Sequence, residues 1–116
     1  MRSDAERAAL GDILHHIDLA QHFCRDQSLQ SFCDDTTRVY AVTRCLEIIS
    51  EASRRLSDAL KARHPDIAWR DMAGAGNIYR HDYEDVAARR VWETVELALP
   101  PLRTSIEQEM LRGNEP

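Results

Sequence analysis

The side chains that could carry chemistry are concentrated in one short stretch, residues 77–83, with the sequence NIYRHDY. Histidine donates and accepts protons near neutral pH more readily than other side chains. Arginine can hold a phosphate through a forked pair of charge-assisted hydrogen bonds. The adjacent Arg80 and His81, with amide and hydroxyl side chains close in sequence, could therefore cleave a phosphodiester without a metal ion.

In this chemistry His81 would take the proton from a ribose 2′-hydroxyl, and Arg80 would stabilise the negative charge that develops on the phosphate. The substrate would have to be RNA, because DNA lacks the 2′-hydroxyl. If the stretch is helical, Asn77, Arg80 and His81 share one face, since side chains three and four residues apart are neighbours. The alternative is a plain surface or helix-end histidine, with the two preceding glycines serving only helix packing or a helix end.

The rest of the sequence has the periodicity of amphipathic helices. Ser3 and Glu6 have the spacing of a capping box at the start of a first helix. Apolar residues at helical spacing then predict a second, long helix that begins near Thr36 and ends before Pro65.

Two further helices are predicted in the second half of the chain. A short helix should begin near Trp69. A last helix should cover about residues 86–111 and be kinked or restarted at Pro100 and Pro101, because proline removes a helical amide donor. We expect Trp69 and Trp92 to anchor the core. No stretch of the sequence alternates as a strand does, so the predicted fold class is all-α: an antiparallel, up-and-down helical bundle.

Length and composition indicate one globular domain. The chain has 116 residues, 43% of them apolar and 30% charged, and we assign residues 1–112 to the domain and residues 113–116 to a frayed tail. No apolar run approaches the ~20 residues of a membrane-spanning helix, and the N-terminus lacks the apolar stretch of a secretory signal. We therefore expect a cytoplasmic protein. The net charge of −5 argues against extended nonspecific binding to nucleic acid, but it is compatible with a pocket for one phosphate.

The cysteines and a cationic run have simple structural interpretations. Cys24, Cys33 and Cys45 form no CxxC pair and match no familiar spacing of metal ligands. We expect reduced, buried thiols and no metal site; the alternative is a zinc site shared with histidines of the first helix. Residues 54–63 have four cationic side chains against one acid, a pattern typical of a solvated helix face.

The order of segments from the middle of the chain onward resembles the HepT-like family of HEPN domains. The chain has SEA at residues 50–52, where the family has a Gly-Glu-Ala-like turn, and WRDMAG at residues 69–74 matches the family pattern W-R-x-(I/M)-A-G. Residues 76–83 follow the family signature of an Arg, a polar residue, three further residues, a His, one residue and a Tyr, except at its first position. A last helix that starts with DV and reaches a Trp, at residues 85–92, completes a match that extends over about residues 4–107.

This resemblance implies a fold, an activity and a partner. The fold would be an antiparallel bundle of four or five helices that forms a homodimer, with the signature segments of both protomers at one shared cleft. The activity would be that of a metal-independent ribonuclease, the toxin of a toxin–antitoxin pair, which needs no cofactor and acts on RNA rather than DNA. The antitoxin would be a minimal nucleotidyltransferase of the MntA type, which silences the toxin by transferring AMP to the signature tyrosine.

The resemblance also implies roles for individual residues. His81 matches the signature histidine, Tyr83 matches the tyrosine that accepts AMP, and Asn77 matches the polar residue after the Arg. Glu51 matches an acid of the second helix that supports the cleft. Gly76 occupies the position of the signature Arg.

The glycine at position 76 leaves several hypotheses open. Arg80 lies four residues farther on, one helical turn along the same face, and could bind the phosphate in place of the missing Arg. Alternatively, the chain is a catalytically inactive HEPN dimer that binds its nucleotidyltransferase partner or a nucleotide. A third hypothesis is a plain helical dimerisation module.

Overall fold

The computed structural model describes residues 2–78 and 84–113; for residues 75–78 and 84–85 it describes only the helical backbone. Every regular element within these ranges is helical, which confirms the predicted all-α class. The helices are α1 (Asp4–Cys24), α2 (Leu29–Asp34), α3 (Thr36–Ser53), α4 (Asp58–Ala62), α5 (Trp69–Ile78), α6 (Glu84–Glu93) and α7 (Leu99–Arg112), with a π-helical turn (Thr94–Ala98) between the last two.

Contacts at both ends of the two longest helices show that α1 and α3 run antiparallel. Near the start of α3, Arg38 donates to the carbonyl of Phe23, close to the end of α1, at 2.8 Å. Beyond the end of α3, the backbone N–H of Ser57 donates to the carboxylate of Glu6, in the first turn of α1, at 2.9 Å. The same argument applies to α7. Its early turn contacts the end of α1, and its late turn contacts Arg2, just before α1 begins. The predicted antiparallel helical bundle is thus confirmed.

Helix α1 begins where the sequence predicts, but its cap differs from the predicted capping box. Ser3 accepts a hydrogen bond from the backbone N–H of Glu6 at 3.1 Å, which satisfies one of the free donors of the first helical turn. The Glu6 carboxylate accepts from the backbone of Ser57 instead of returning a bond to Ser3. The Glu6 side chain, which was predicted to bond within its own helix, therefore connects α1 to the segment that follows α3.

The prediction of one long second helix is wrong. Helix α3 ends at Ser53, and the chain turns before it resumes as the short helix α4. The Ser57 side chain caps α4 by accepting from the backbone N–H of Leu60 at 3.1 Å, an alternative that serine offers to a continuous helix. Leu56 and Leu60 are both buried. Their spacing of four residues continues the helical pattern across the break, so the sequence pattern predicts one helix where the structure has two.

A short helix that the sequence analysis did not identify, α2, covers one end of the core. Ser28 and Ser31 cap it reciprocally, since each side chain accepts from the backbone N–H of the other residue. Its Phe32 is fully buried, with its ring centroid 5.3 Å from that of Trp92. Complete burial of a phenylalanine contributes about 1.5–3 kcal/mol, which is enough to hold so short a helix in place.

The last predicted helix is interrupted close to the prolines, as expected, but by a π-helical turn before them. Pro100 and Pro101 lie in the first turn of α7, where the missing amide donors have no helical acceptor to lose. The break in the α-helix is therefore at the wider π-helical turn from Thr94 to Ala98 and not at the prolines. Trp69 and Trp92 pack against the core from partly buried positions, in agreement with their prediction as anchors.

A buried carboxylate connects both ends of the chain to the end of α4. Glu109 is 2% exposed, and it accepts from Arg63 Nη2 at 2.6 Å and from Arg2 Nη2 at 2.9 Å. His64 Nε2 lies 2.6 Å from the same carboxylate. Arg63 is exposed, in agreement with the interpretation of residues 54–63 as a solvated face, and this carboxylate in addition neutralises its charge.

The thiols agree with the sequence analysis at two of three positions. Cys24 and Cys45 are buried and Cys33 is partly buried, and none of the three forms a disulfide. Burial raises the pKa of the Cys24 thiol to about 11 and also raises that of Cys45, so both remain protonated near neutral pH. None of the helices in the described part of the chain is long and apolar enough to cross a bilayer.

Candidate functional site

The segment with the predicted chemistry begins in the last turn of α5. The α5 backbone remains helical through Gly76 and Asn77 and ends at Ile78, so the helical alternative holds for the first part of the stretch. The side chain of Asn77, together with Arg80, His81 and Tyr83, lies outside the described residues. Their roles stay predictions. We call residues 76–83 the signature segment below.

The start of α5 is attached to the end of α4 by an indole. Trp69 Nε1 lies 3.2 Å from the carbonyl oxygen of Lys61 and 3.1 Å from that of His64, and it donates to both. Lys61 lies in α4, and His64 lies two residues beyond its last residue, Ala62. The neighbouring Arg63 and His64 side chains bond the buried Glu109, so α5 begins from a well-supported point of the bundle.

The middle of α5 is attached to the last turn of α3 at a single carbonyl. Ser50 Oγ donates to the carbonyl oxygen of Ala73 at 2.8 Å, and Arg54 Nη2 donates to the same oxygen at 2.5 Å. Ser50 is 2% exposed, and its own carbonyl accepts from Ser53 Oγ at 2.6 Å. Because Ala73 precedes Asn77 by one turn, these bonds position the backbone immediately before the signature segment.

Glu51 occupies the same turn of α3. Its side chain is exposed, and it lies between Ser50 and Arg54 in sequence, three residues before the arginine and so on a neighbouring part of the helical surface. The structure thus places Glu51 at the edge of the α3 turn that contacts α5. The role of Glu51 in supporting a cleft stays a prediction, because the cleft residues lie outside the described part of the chain.

The surface of α5 near the signature segment has room for another group. A Cβ atom built on Gly74 would meet no heavy atom of the described residues within 4 Å. Glycine is unfavourable in a helix interior by about 0.8–1 kcal/mol relative to alanine, and neither a positive φ nor a close neighbour requires it here. The open side of α5 therefore lies one turn from Ile78, at the edge of the predicted site.

Other parts of the molecule contribute less to a catalytic interpretation. A surface cavity of about 270 Å³ lies between the end of α1 and the π-helical turn, lined by Gln21, Cys24, Arg25, Val95, Glu96 and Pro100. None of these residues was predicted to belong to the site. No group of three or more His, Cys, Asp or Glu side chains within the described ranges is arranged to hold a metal ion.

Sequence reasoning missed the two side chains that hold α5 at Ala73. Ser50 was noted only as part of the SEA turn, and Arg54 only as one charge in a cationic run. No pattern of neighbouring residues predicts either hydrogen bond, because the bonded residues are 23 and 19 positions apart in sequence. The one feature of the sequence that brings these two residues together is that the SEA turn lies just before the cationic run.

Comparison with known proteins gives a consistent result over most of the chain. A family model described as Ribonuclease HepT-like matches residues 13–109. A probable ribonuclease HepT of Thermococcus cleftensis is 37% identical over 99 residues, which cover 85% of this chain and 90% of the relative. A protein of Methanocaldococcus jannaschii with a provisional RNase name is 31% identical over 102 residues, or 88% of each chain. No solved structure matches the chain significantly.

Proposed function

The chain belongs to the HepT-like ribonuclease family, and from this premise we propose that it is a metal-independent ribonuclease whose site is built around the signature segment. The observation that carries the proposal is the family match over residues 13–109, combined with the His and Tyr of the family signature at His81 and Tyr83. The relatives are named as ribonucleases, which favours RNA as the substrate.

In the proposed reaction His81 removes the proton from a ribose 2′-hydroxyl. The 2′-oxygen attacks the adjacent phosphorus and the bond to the 5′-oxygen breaks. The leaving 5′-oxygen takes up a proton from solvent, so the products have a 2′,3′-cyclic phosphate and a 5′-hydroxyl. Arg80 stabilises the charge that develops on the phosphate oxygens, and Asn77 donates a hydrogen bond to the same group. No metal ion takes part in these steps, because the base and the charge stabilisation both come from side chains.

The scaffold supports this chemistry by fixing the helix from which the signature segment begins. Reactive groups need a supporting helix that moves little, since small displacements of a catalytic group cost large factors in rate. Helix α5 is attached at its first residue through Trp69 and in its middle through the carbonyl of Ala73. We assign Glu51, on the adjacent turn of α3, the role of supporting the cleft.

The proposed assembly is a cytoplasmic homodimer in which two signature segments face one cleft. The open side of α5 at Gly74 is compatible with the approach of a second copy. In this proposal the antitoxin is a minimal nucleotidyltransferase of the MntA type, which transfers AMP to Tyr83. The added phosphodiester is negatively charged and the nucleoside is bulky, so the modification would repel and block the RNA phosphate.

A second function is favoured by one specific feature, the glycine at position 76. If no other cation replaces the signature Arg, the chain is a catalytically inactive dimer that binds its nucleotidyltransferase or a nucleotide. The two functions make opposite predictions for the purified protein, because only the ribonuclease cleaves RNA.

The deciding experiment incubates the purified full chain with single-stranded RNA in buffer that contains EDTA. We expect cleavage with 2′,3′-cyclic phosphate ends, and His81→Ala should lower the rate by about 10²–10⁴, the usual cost of losing a general acid or base. His22→Ala is the matched control, since His22 is an exposed histidine of α1 and should leave the rate unchanged. Absence of cleavage by the wild-type protein, or cleavage only with added Mg²⁺, would refute the proposed activity.

A further inference from the structure

The C-terminal cap of α3, Arg54, is a cation that contacts α5 one turn before the signature segment. We propose that Arg54 binds a phosphate of the RNA and thereby supplies, from a neighbouring helix, a positive charge next to the position that Gly76 leaves without one. This inference rests on the proposed function. It deepens that function by adding a substrate-binding residue from α3, outside the signature segment.

The position of the guanidinium follows from one hydrogen bond. Arg54 Nη2 lies 2.5 Å from the carbonyl oxygen of Ala73. In an α-helix the carbonyl of a residue points along the axis toward the amide four residues later, so this oxygen faces the turn that contains Gly76 and Asn77. The guanidinium of Arg54 is therefore held within about one helical turn, roughly 5 Å along the axis, of the start of the signature segment.

Most of the hydrogen-bonding capacity of this side chain is available to a ligand. A guanidinium has five N–H donors in a planar fork, and the contact with Ala73 uses one nitrogen, Nη2. The Arg54 side chain is exposed, so the remaining donors can reach a solvent-borne phosphate. The fork is the arrangement that binds phosphate oxygens in pairs.

The charge of Arg54 also differs from those of the two other arginines in the cationic run. Arg55 Nη2 is 2.9 Å from the carboxylate of Asp12, and Arg63 Nη2 is 2.6 Å from that of Glu109. No carboxylate of the described residues lies within ion-pair distance of Arg54. Among the described carboxylates none neutralises Arg54, whereas Arg55 and Arg63 each pair with one.

A purely structural explanation accounts for only part of this arrangement. Arg54 is the C-terminal cap of α3, and a cation there interacts favourably with the helix dipole. Arg55 is equally close to the end of α3 and would serve the dipole as well. Of these two arginines, Arg54 contacts α5 and Arg55 contacts Asp12 of α1. The helix dipole therefore does not explain why the Arg54 side chain is directed toward α5.

The test compares four variants of the full chain: Arg54→Ala, Arg54→Gln, Arg54→Lys and the matched control Arg55→Ala. Gln keeps an N–H donor near the Ala73 carbonyl but has no charge, whereas Lys keeps the charge. Single-turnover cleavage of single-stranded RNA is measured together with the affinity for a 2′-O-methyl RNA of the same sequence, which cannot be cleaved, at several salt concentrations. Thermal unfolding monitored by circular dichroism checks that each variant is folded.

We expect Arg54→Ala and Arg54→Gln to slow cleavage about 10- to 150-fold, the effect of losing one charge-assisted hydrogen bond. Both should flatten the dependence of log affinity on log salt by about 0.7, the value for one phosphate contact on a single strand. Arg54→Lys should retain most of the affinity and the salt dependence. Arg55→Ala should match the wild type in both measurements.

The inference is overturned if Arg54→Gln cleaves and binds like the wild type, or if Arg55→Ala flattens the salt dependence as much as the Arg54 variants do. If Arg54→Ala does not fold, the Gln and Lys variants decide the question. A wild-type protein that does not cleave RNA refutes the ribonuclease, and the inference is then decided by binding alone. A flatter salt dependence for Arg54→Gln on the 2′-O-methyl RNA supports it, and an unchanged dependence or no wild-type binding overturns it.

Discussion

Replacing Glu109 by Gln should destabilise the fold and change how its stability depends on pH. The hydrogen bond from Arg63 is the main cause that lowers the Glu109 pKa, from its usual 4.5 to about 2, while burial opposes the shift and His64 adds to it. At about 1.4 kcal/mol for each factor of ten in the ionisation constant, the folded state favours the charged carboxylate by about 3 kcal/mol. Glutamine fills the same volume without the charge, so this contribution is lost.

The expected loss at pH 7 is about 2–3 kcal/mol. Breaking a buried ion pair costs about 3–5 kcal/mol when the remaining charge is fully buried, but the Arg63 side chain is 34% exposed and water can solvate part of its charge. For a domain of this length the change corresponds to a fall of roughly 10 °C in the midpoint of thermal unfolding.

The pH dependence gives this prediction its sharpest test. Because the folded-state pKa lies below that of the unfolded chain, the stabilisation is fully present above about pH 5 and disappears as the pH falls toward about 2. The difference in unfolding free energy between wild type and Glu109→Gln should therefore shrink over that range. Urea unfolding followed by circular dichroism at pH 7, 4 and 3 measures it directly.

A matched control lies two residues earlier on the same helix. Glu107 is exposed and pairs with Arg103 at 3.2 Å, one turn apart on α7, and such surface pairs contribute about 0.3–0.5 kcal/mol. Glu107→Gln should change stability by no more than this amount. Equal effects of the two substitutions at pH 7, or a Glu109 effect that does not change between pH 7 and pH 3, would refute the reasoning.

Four further predictions test other parts of the molecule. Gly74→Ala should raise the unfolding free energy by about 0.8–1 kcal/mol in urea titrations, because its Cβ would contact none of the described residues; a destabilised variant would contradict this. The Cys24 thiol should react with a disulfide reagent at pH 8 only in urea, since it is buried and its pKa is raised to about 11; labelling of the folded chain at Cys24 would argue against it. Co-expression with a minimal nucleotidyltransferase should add AMP to the peptide with Tyr83, as checked by mass spectrometry, and modification only at Tyr40 or Tyr79 would refute that assignment. Light scattering at micromolar concentration should give the mass of a dimer, and a monomer would exclude the shared cleft.

The sequence predicts a helix correctly where buried residues recur at helical spacing. It misplaces a helix end where a side chain that caps the backbone determines that end. The stripes of α1 and α3 are visible because the residues that face the core recur every three or four positions. The break after Ser53 is invisible to that criterion, since Leu56 and Leu60 are buried on both sides of it. A serine that caps a new helix, such as Ser57, has the same appearance in a sequence as a serine on a solvated face.

Contacts between distant segments are the part of the site that the sequence could not predict. A glutamate near the C-terminus gives no sign that it will be buried, because burial depends on cations supplied from 45 or more residues away. The attachment of α5 to α3 at Ala73 likewise depends on residues that are distant in sequence. By contrast, the roles of His81 and Tyr83 come from the family resemblance and stay predictions, since both residues lie outside the described part of the chain.

The position of a cation in a binding site need not be fixed by the position of its residue in a motif. A phosphate is bound by charge and by donor geometry in space. Two residues are candidates to supply them: Arg80, within the signature segment, and Arg54, the C-terminal cap of the adjacent helix α3. Arg80 is compatible with the site through helical spacing alone. Arg54 has in addition a defined contact with α5 and no paired carboxylate among the described residues. The loss of an arginine from a linear motif is therefore weak grounds for concluding that a helical bundle has lost its phosphate site, because a neighbouring helix can present the charge to the same space.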